Sequence, residues 1–286
     1  MNPAALPLTL VEAPDPVDRD LAPLLDEPLA SAWHADRAGA PTPPAAQALR
    51  DRLMQRVRSS SHAARAMRTT RRSRADASVP APGVQVRQLY RAEAGCALRP
   101  GEPRRARLVE LAPGAAVAGL VDLACRREWL VLSGDVIIGS EPLSARDYRV
   151  EPAGTADPLL RSTGGAWVFV RESDPAAPPA EGAFTVRDAE AGWPDYAPGI
   201  RRRVLWQHAG QAAMLYCAQP GAQVPHHDHG HDEECLMVQG ELFLDHMLLR
   251  AGDYQLAPAG TAHRLTETDT GVVLYAHGDL DLRFVA

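Results

Sequence analysis

The chain of 286 residues contains no lysine, since all thirty of its basic residues are arginines. Together with abundant alanine and proline, this suggests a GC-rich coding sequence and a bacterial source. Aromatic residues are also scarce, at 5% of the chain. No apolar run reaches the roughly eighteen residues of a membrane helix, so we expect no membrane association. Apolar residues still make up 45% of the chain, which is enough for a sizeable core.

Cysteine is rare, and no CxxC pair occurs. The four cysteines are widely spaced, at Cys96, Cys125, Cys217 and Cys235. The first residues, MNPAALPLTLVEAPD, offer neither a basic n-region nor a clear cleavage site, so we expect no signal peptide. We therefore predict a cytoplasmic protein with reduced thiols.

Positive charge is concentrated in one segment. Residues 49–76 hold nine arginines and two aspartates, whereas the sequence on both sides is acidic. Residues 42–58, TPPAAQALRDRLMQRVR, predict a helix that Thr42 caps, with an apolar stripe and a basic remainder. This helix either docks on a partner or packs on its own domain with a solvated basic face. The segment 61–80 has few apolar residues and predicts a basic linker. Because no base-reading motif accompanies it, we do not expect direct nucleic-acid binding.

The rest of the chain contains an internal repeat. APGVQVRQLYR at 81–91 corresponds to APGIRRRVLWQ at 197–207, and DYRVEPAGTAD at 147–157 corresponds to DYQLAPAGTAH at 253–263. Both copies consist of short β-prone runs that Gly and Pro turns divide, a pattern typical of all-β barrels. The fold prediction is therefore mainly β, with two tandem barrels after a short helical N-terminal region.

The second copy carries a histidine-rich motif with regular spacing. It reads G-x5-H-x-H-x3-E-x6-G from Gly221 to Gly240, followed by G-x5-P-x-G-x2-H from Gly252 to His263. Alternate residues of a strand share one face, so His227 and His229 project together. Glu233 follows across a short bend, and His263 arrives from a later strand. Imidazole and carboxylate ligands suit zinc, iron, manganese, nickel or copper, and such a set leaves coordination positions open.

These two motifs resemble those of the cupin superfamily. The resemblance implies two cupin double-stranded β-helix (jelly-roll) barrels, a bicupin, and it implies a metal held by His227, His229, Glu233 and His263. We expect one divalent transition metal per chain, zinc first, with iron, manganese or nickel as alternatives. His226 and His231 fit no ligand position of the motif. One departure is Glu267, which stands where cupins often carry an asparagine that is not a ligand.

The first copy has lost the motif. Leu120 and Asp122 stand in the two histidine positions, the glutamate position falls at Arg126 or Arg127, and Asp157 replaces the last histidine. We therefore expect this copy to be structural or a metal-free pocket. The predicted domains are a degenerate helical region at 1–60, a basic linker at 61–80, barrel 1 at 81–172, an inter-barrel linker at 173–194 and barrel 2 at 195–286.

The amino-acid sequence around the two motifs resembles that of the ChrR-like anti-sigma factors. EECLMVQGELFLD, LRAGDYQLAPAGTAHR and the helix at 42–58 carry this resemblance. It implies a stress-sensing transcription regulator that binds an extracytoplasmic-function sigma factor, here through residues 1–60. The family's N-terminal zinc site uses histidine and a CxxC pair, whereas residues 1–60 contain only His34 and no cysteine. That zinc site therefore cannot form, which leaves sigma-factor binding open.

Other functions fit the same motifs. Three histidines and a glutamate are also the metal ligands of metal-dependent cupin dioxygenases, which act on a small organic substrate. In that case Glu234, His246 or Glu267 are candidate neighbours of the metal. A sugar-binding or isomerase cupin without metal chemistry is disfavoured, because the four ligands are complete. Enzymatic activity thus stays undecided, with the regulator favoured. We also expect a small-molecule ligand in barrel 2 and consider a homodimer.

Overall fold

The computed structural model describes residues 48, 50, 51, 67–93, 101–174 and 182–285. The chain divides into two compact units, Met1–Ser60 and Ser61–Ala286. In the first unit, Ala48, Arg50 and Asp51 are helical and exposed. The remainder of the predicted helix lies outside the described residues. In the described part of the chain no helix is both long and apolar enough to span a bilayer.

The second unit is built from β-strands that repeat along the chain. The strands of the first repeat are β1 (Arg68–Thr70), β2 (Ala77–Ala81), β3 (Val84–Arg91), β4 (Pro103–Leu111), β5 (Ala116–Val117), β6 (Arg126–Ile138), β7 (Glu141–Ser144), β8 (Tyr148–Glu151), β9 (Leu160–Arg161) and β10 (Ala166–Ser173). Those of the second repeat are β11 (Phe184–Val186), β12 (Asp195–Ala197), β13 (Ile200–His208), β14 (Gln211–Ala218), β15 (Gln223–Val224), β16 (His227–Asp228), β17 (Glu233–Leu244), β18 (Met247–Arg250), β19 (Tyr254–Ala257), β20 (Ala262–His263), β21 (Thr266–Glu267), β22 (Val272–Asp279) and β23 (Arg283–Phe284). A 3-10 helix, Arg72–Arg74, follows β1, and helix α1, Asp188–Ala191, follows β11.

The two repeats have the same antiparallel topology. One sheet has the order β11-β8-β6-β10-β4-β3-β2, and the other has the order β1-β19-β17-β22-β14-β13-β12. Each sheet holds ten strands in all, and a small third sheet has the order β20-β16-β23. Two tandem jelly-roll barrels therefore form, and the predicted mainly-β fold class is confirmed.

Each repeat gives its first strand to the other barrel. β1 pairs with β19 of the second barrel, and β11 pairs with β8 of the first. Two equivalent ion pairs hold these strands, with Arg71 Nη1 2.9 Å from Asp253 Oδ2 and Arg187 Nη1 3.0 Å from Asp147 Oδ2. The described parts of 61–80 and 173–194, predicted as linkers, thus include paired strands. Each added strand hydrogen-bonds to β8 or β19, whose edge would otherwise stay unpaired.

Three apolar cores stabilise this arrangement. One lies between the barrels and combines residues of both sheets, including Phe169, Tyr254 and Tyr275. A second fills the interior of the first barrel, where Trp129 is fully buried. The third, inside the second barrel, is smaller and surrounds Met237. A cavity lies beside this third core, and Cys235 and Leu242 belong to both.

Candidate metal centre

Three short elements bring the motif residues together. His227 on β16 lies directly opposite His263 on β20 in an antiparallel pair. Glu233 opens β17. His229 lies in the loop between β16 and β17, where its backbone N–H donates to the backbone carbonyl of Thr261 over 3.0 Å. All four side chains are buried, the most exposed being Glu233 at 8%.

The four side chains face one another. The ring centroid of His229 lies 5.5 Å from that of His227 and 5.0 Å from that of His263, and the remaining pair is 5.8 Å apart. One ligand atom each from His227, His229 and Glu233 lies within 4.8 Å of the other two. His229 Nε2 is 3.6 Å from Glu233 Oε1, which is too long for a hydrogen bond.

Hydrogen bonds assign the same tautomer to all three imidazoles. His227 Nδ1 donates to the carbonyl of Pro225 over 2.9 Å. His229 Nδ1 donates to Thr261 Oγ1 over 2.9 Å, because that hydroxyl itself donates to the carbonyl of Pro258. His263 Nδ1 donates to Asp245 Oδ2 over 3.1 Å. Each ring therefore presents the lone pair of Nε2 to the centre.

The surroundings of the cluster lower the pKa of Glu233 and of His229. Burial opposes the ionised form of Glu233, but the imidazoles of His229, His263 and His227 outweigh it and lower the pKa of this carboxyl. Burial is also the main reason why the pKa of His229 is lowered. Neutral imidazoles and an ionised carboxylate are the protonation states that a metal requires of its ligands.

Two nitrogen atoms that could bind a metal have no hydrogen-bond partner among the described residues. His229 Nε2 and His263 Nε2 are buried and unbonded among the described residues. Such atoms are costly to bury without compensation. A divalent cation between the Nε2 atoms and the carboxylate would satisfy them, so the residues present fit a metal.

The glycine that closes the first motif has a steric role. Gly240 has φ of 77°, and a Cβ placed there would lie 2.1 Å from the carbonyl oxygen of Gly271. No other residue type fits at this close approach of β17 to the turn before β22. The spacing of the motif is therefore set by the backbone contact between Gly240 and Gly271 as well as by the positions of the ligands.

Other histidines and acids of the motif region point elsewhere. His231 pairs with Asp279 at 2.5 Å. Glu234 points out of the barrel and binds Arg171, and Glu267 accepts from Gln223 at the surface. Of the three candidate neighbours of the metal, Glu234 and Glu267 are thus engaged in these other contacts.

Sequence reasoning missed three residues that support the cluster. Asp245, in a turn with φ of 54°, orients His263, and Thr261 orients His229. Cys235 Sγ donates to Glu233 Oε1 over 3.4 Å. Cys235 follows Glu233 by two residues on β17, so strand periodicity could have placed it inside the barrel. No spacing rule points to Asp245.

The first barrel has no equivalent cluster among its described residues. Leu120 is part of the apolar core, and Asp122 and Asp157 are exposed. Strand register shows that Arg127, and not Arg126, takes the position of the metal-binding glutamate. Arg127 on β6 lies opposite Glu151 on β8, just as Glu233 on β17 lies opposite Ala257 on β19. Arg127 is fully buried and lies 3.5 Å from Glu151. A cation therefore stands where the metal-facing carboxylate would be.

Comparisons with known proteins agree with this architecture. Residues 181–281 match the family described as the ChrR cupin-like domain. No curated protein matches the chain.

Among solved structures, a putative dioxygenase from Nostoc punctiforme PCC 73102 is similar with a TM-score of 0.57 and 15% identity, over 77% of this chain and 85% of that one. A putative glyoxylate-induced protein from Pseudomonas aeruginosa gives a TM-score of 0.58 and 16% identity, over 77% and 92%. A mutant of Bacillus subtilis oxalate decarboxylase gives 0.54 and 14%, over 76% and 78%. At such low identities the similarity establishes the fold alone. The chain has the cupin fold, and its second barrel is similar in sequence to the cupin-like domain of ChrR.

Proposed function

We propose that this chain is a metal-binding bicupin of the ChrR-like type that acts as a stress sensor in transcription regulation. The second barrel holds one divalent transition metal through Nε2 of His227, His229 and His263 and the carboxylate of Glu233. The observation that carries this proposal is the pair of buried Nε2 atoms without partners beside an ionised carboxylate.

We propose zinc as the metal, with iron, manganese or nickel as alternatives. Three nitrogens and one oxygen form a donor set that zinc accepts readily. A bound ion would act as a Lewis acid toward a small ligand at its open positions. The protein's own contribution is to hold the imidazole tautomers and to exclude bulk water from the barrel.

The regulatory role rests on sequence similarity and on charge. The match of residues 181–281 to the ChrR cupin-like domain supports it. The arginine-rich helix predicted at 42–58 gives residues 1–60 a basic surface for an extracytoplasmic-function sigma factor in the cytoplasm. Because residues 1–60 lack cysteine, such binding would not depend on a zinc site there.

A metal-dependent dioxygenase is the second candidate. It is favoured by a cavity of about 60 Å³ that His227, Glu233 and His263 help to line, because a substrate could reach the metal there. The structural similarity to a putative dioxygenase is compatible with it. The two candidates differ in metal identity and in whether the centre turns over a substrate.

Elemental analysis of protein purified without a histidine tag tests the metal centre. We expect about one metal per chain in the wild type, and far less in His227→Ala and His263→Ala, with lower thermal stability. His231→Ala is the matched control and should keep its metal, because His231 pairs with Asp279. Unchanged metal stoichiometry in both ligand variants would refute the assignment.

Two further assays separate regulator from enzyme. Zinc, together with capture of a sigma factor by the full-length chain, would support the regulator. Charge reversal at Arg50, Arg52 and Arg56 should weaken that capture without changing the metal content. Iron, together with oxygen uptake in the presence of a diketone or a phenol, would support the dioxygenase instead.

A further inference from the structure

At three positions of the second barrel, small side chains line a cavity where the first barrel carries larger ones. Strand register makes Cys235 on β17 equivalent to Trp129 on β6, because Cys235 lies opposite Ala276 as Trp129 lies opposite Val170. Trp129 and Val170 are fully buried parts of the first barrel's apolar core. Their smaller counterparts Cys235 and Ala276 line the cavity of the second barrel.

A third pair of equivalent positions shows the same difference. Ala218 lies opposite Val272 in the second barrel, as Leu111 lies opposite Ala166 in the first. Leu111 is part of the filled core, whereas Ala218 lines the cavity. At these three positions side chains fill the first barrel, whereas the second barrel is hollow beside them. An empty cavity loses van der Waals contacts, and a ligand that fills it would restore them.

One polar atom in the cavity wall has no partner within the protein. Thr266 Oγ1 on β21 is buried, lines the cavity and makes no hydrogen bond to the described residues. Its equivalent in the filled barrel is Leu160 on β9, which packs in the apolar core. The hydroxyl is therefore specific to the hollow barrel, and it can donate to a group that enters.

The charges around the cavity limit what can enter. Most of the described lining residues are aliphatic, and Glu233 is the single carboxylate among them. No arginine lines the cavity in the described part of the chain. The nearby Arg202 stacks on the ring of Tyr196 at 4.1 Å and donates to the carbonyl of Leu280 over 2.5 Å. A divalent metal with Glu233 leaves one net positive charge, which one negative head group neutralises.

We propose that this cavity binds a short aliphatic molecule with a single oxygen-bearing head, which contacts the metal and Thr266 Oγ1 and carries at most one negative charge. The alkyl part occupies the space left by Cys235, Ala218 and Ala276. A second carboxylate would lie among mainly aliphatic side chains with no arginine in the described lining to pair it. The inference rests on the proposed metal centre and names the ligand class of that same site.

A series of carboxylates tests this proposal. Full-length protein loaded with cobalt(II), whose visible absorption reports ligand exchange, is titrated with formate, acetate, propionate and butyrate. We expect the affinity to rise about three- to fourfold per methylene until the cavity is full. Succinate has the four carbons of butyrate but ends in a second carboxylate, and it should bind more weakly than butyrate because no arginine in the described lining faces the alkyl part of the cavity. Tighter binding of succinate than of butyrate, or no dependence on chain length, would overturn the proposal.

Matched substitutions locate the binding. Ala276→Val introduces the side chain of the filled barrel and should remove the gain from propionate to butyrate while metal content stays unchanged. Val170→Ala, the reverse change at the equivalent position of the first barrel, should leave the whole series as in the wild type. Thr266→Val should lower the affinity for every monocarboxylate about tenfold. Wild-type behaviour of both Ala276→Val and Thr266→Val would overturn the assignment to this cavity.

Metal uptake distinguishes a failure of the proposed metal centre from a failure of the proposed ligand class. A chain that takes up neither cobalt nor zinc refutes the metal centre, and the ligand class falls with it. A chain that takes up one metal, loses it in His227→Ala and still shows a flat carboxylate series refutes the ligand class alone.

Discussion

Arg171 on β10 donates from Nε to Oε1 of Glu234 on β17 over 2.6 Å, and this contact joins the two barrels inside their shared core. The same guanidinium donates from Nη1 to Oε1 of Glu128 over 2.9 Å. Strand register makes Glu128 and Glu234 equivalent in the two repeats, and His277 takes the position of Arg171 in the second. One arginine thus pairs with two equivalent carboxylates, all three being at most 2% exposed.

The two carboxylates titrate differently because their surroundings are not symmetric. Burial opposes the ionised form of Glu128, but Arg171 and then Arg126 outweigh it and lower its pKa to about 2. Burial of Glu234 outweighs the attraction of Arg171 and raises the pKa of that carboxyl. Arg171 is therefore the group on which both buried acids depend.

Replacing Arg171 should destabilise the protein strongly. Arg171→Met keeps an unbranched side chain but leaves the buried Glu234 without its arginine and Glu128 with Arg126 alone, at 3.6 Å. Removing one partner of a buried pair costs about 3–5 kcal/mol, so we expect a loss of at least about 3 kcal/mol. Urea unfolding at pH 7 measures it. Arg104→Met is the control, because its side chain is 51% exposed and its pair with Asp174 is 4.0 Å long. It should change stability by less than about 0.5 kcal/mol.

The buried His277 should make stability depend on pH. Burial, and next Arg171, lower its pKa from 6.5 to about 3. As the pH falls below about 6.5, the unfolded chain binds a proton on this imidazole while the folded chain does not. The unfolded state therefore binds more protons, and stability falls as the pH falls from 6.5 toward 3. The contribution of His277 is about 1.4 kcal/mol per pH unit within this window.

His277→Gln isolates that contribution. Both proteins are unfolded in urea at pH 7.5, 6.0 and 5.0 with a chelator present, so that metal release does not contribute. We expect the wild type to lose stability more steeply than the variant between pH 6.0 and 5.0. Parallel curves would show that the folded protein protonates His277 in this range.

Local sequence patterns predicted the repeat and the four-residue cluster for a physical reason. His227 and His263 lie on paired strands, His229 and Glu233 follow His227 within six residues, and the close approach of β17 to Gly271 fixes Gly240. The spacing of the motif therefore reflects backbone geometry. Alternation along β6 and β17 likewise places Trp129 and Cys235 inside their barrels.

The strand exchange could not be predicted in this way. The partners of β1 lie in β19, nearly at the other end of the chain, and its residues Arg68, Thr69 and Thr70 are polar. Their pairing depends on Asp253, which accepts from the backbone N–H of Arg72 over 2.8 Å. Strand formation here depends on the partner strand rather than on intrinsic propensity. The same holds for Asp245, whose role appears only when the turn brings it to His263.

A single histidine should not restore a metal site in the first barrel. Asp157→His supplies one ligand at the position of His263, but Leu120 and Asp122 remain in the other histidine positions and Arg127 replaces the carboxylate. The guanidinium of Arg127 repels a cation. We expect the metal content of Asp157→His to equal that of the wild type. Doubled metal content in elemental analysis would contradict this account of the first barrel.

Asp245 should strengthen metal binding without touching the metal. It accepts from His263 Nδ1 and from the backbone N–H of Arg264, and these bonds fix the turn, the ring and its tautomer. Asp245→Asn keeps the shape but removes the charge, so we expect metal affinity to fall about 10- to 100-fold in competition with a chelating dye. Asp281→Asn, at an aspartate that is 79% exposed, is the control and should bind metal as the wild type does. Equal affinities of all three proteins would mean that the aspartate does not orient a metal ligand.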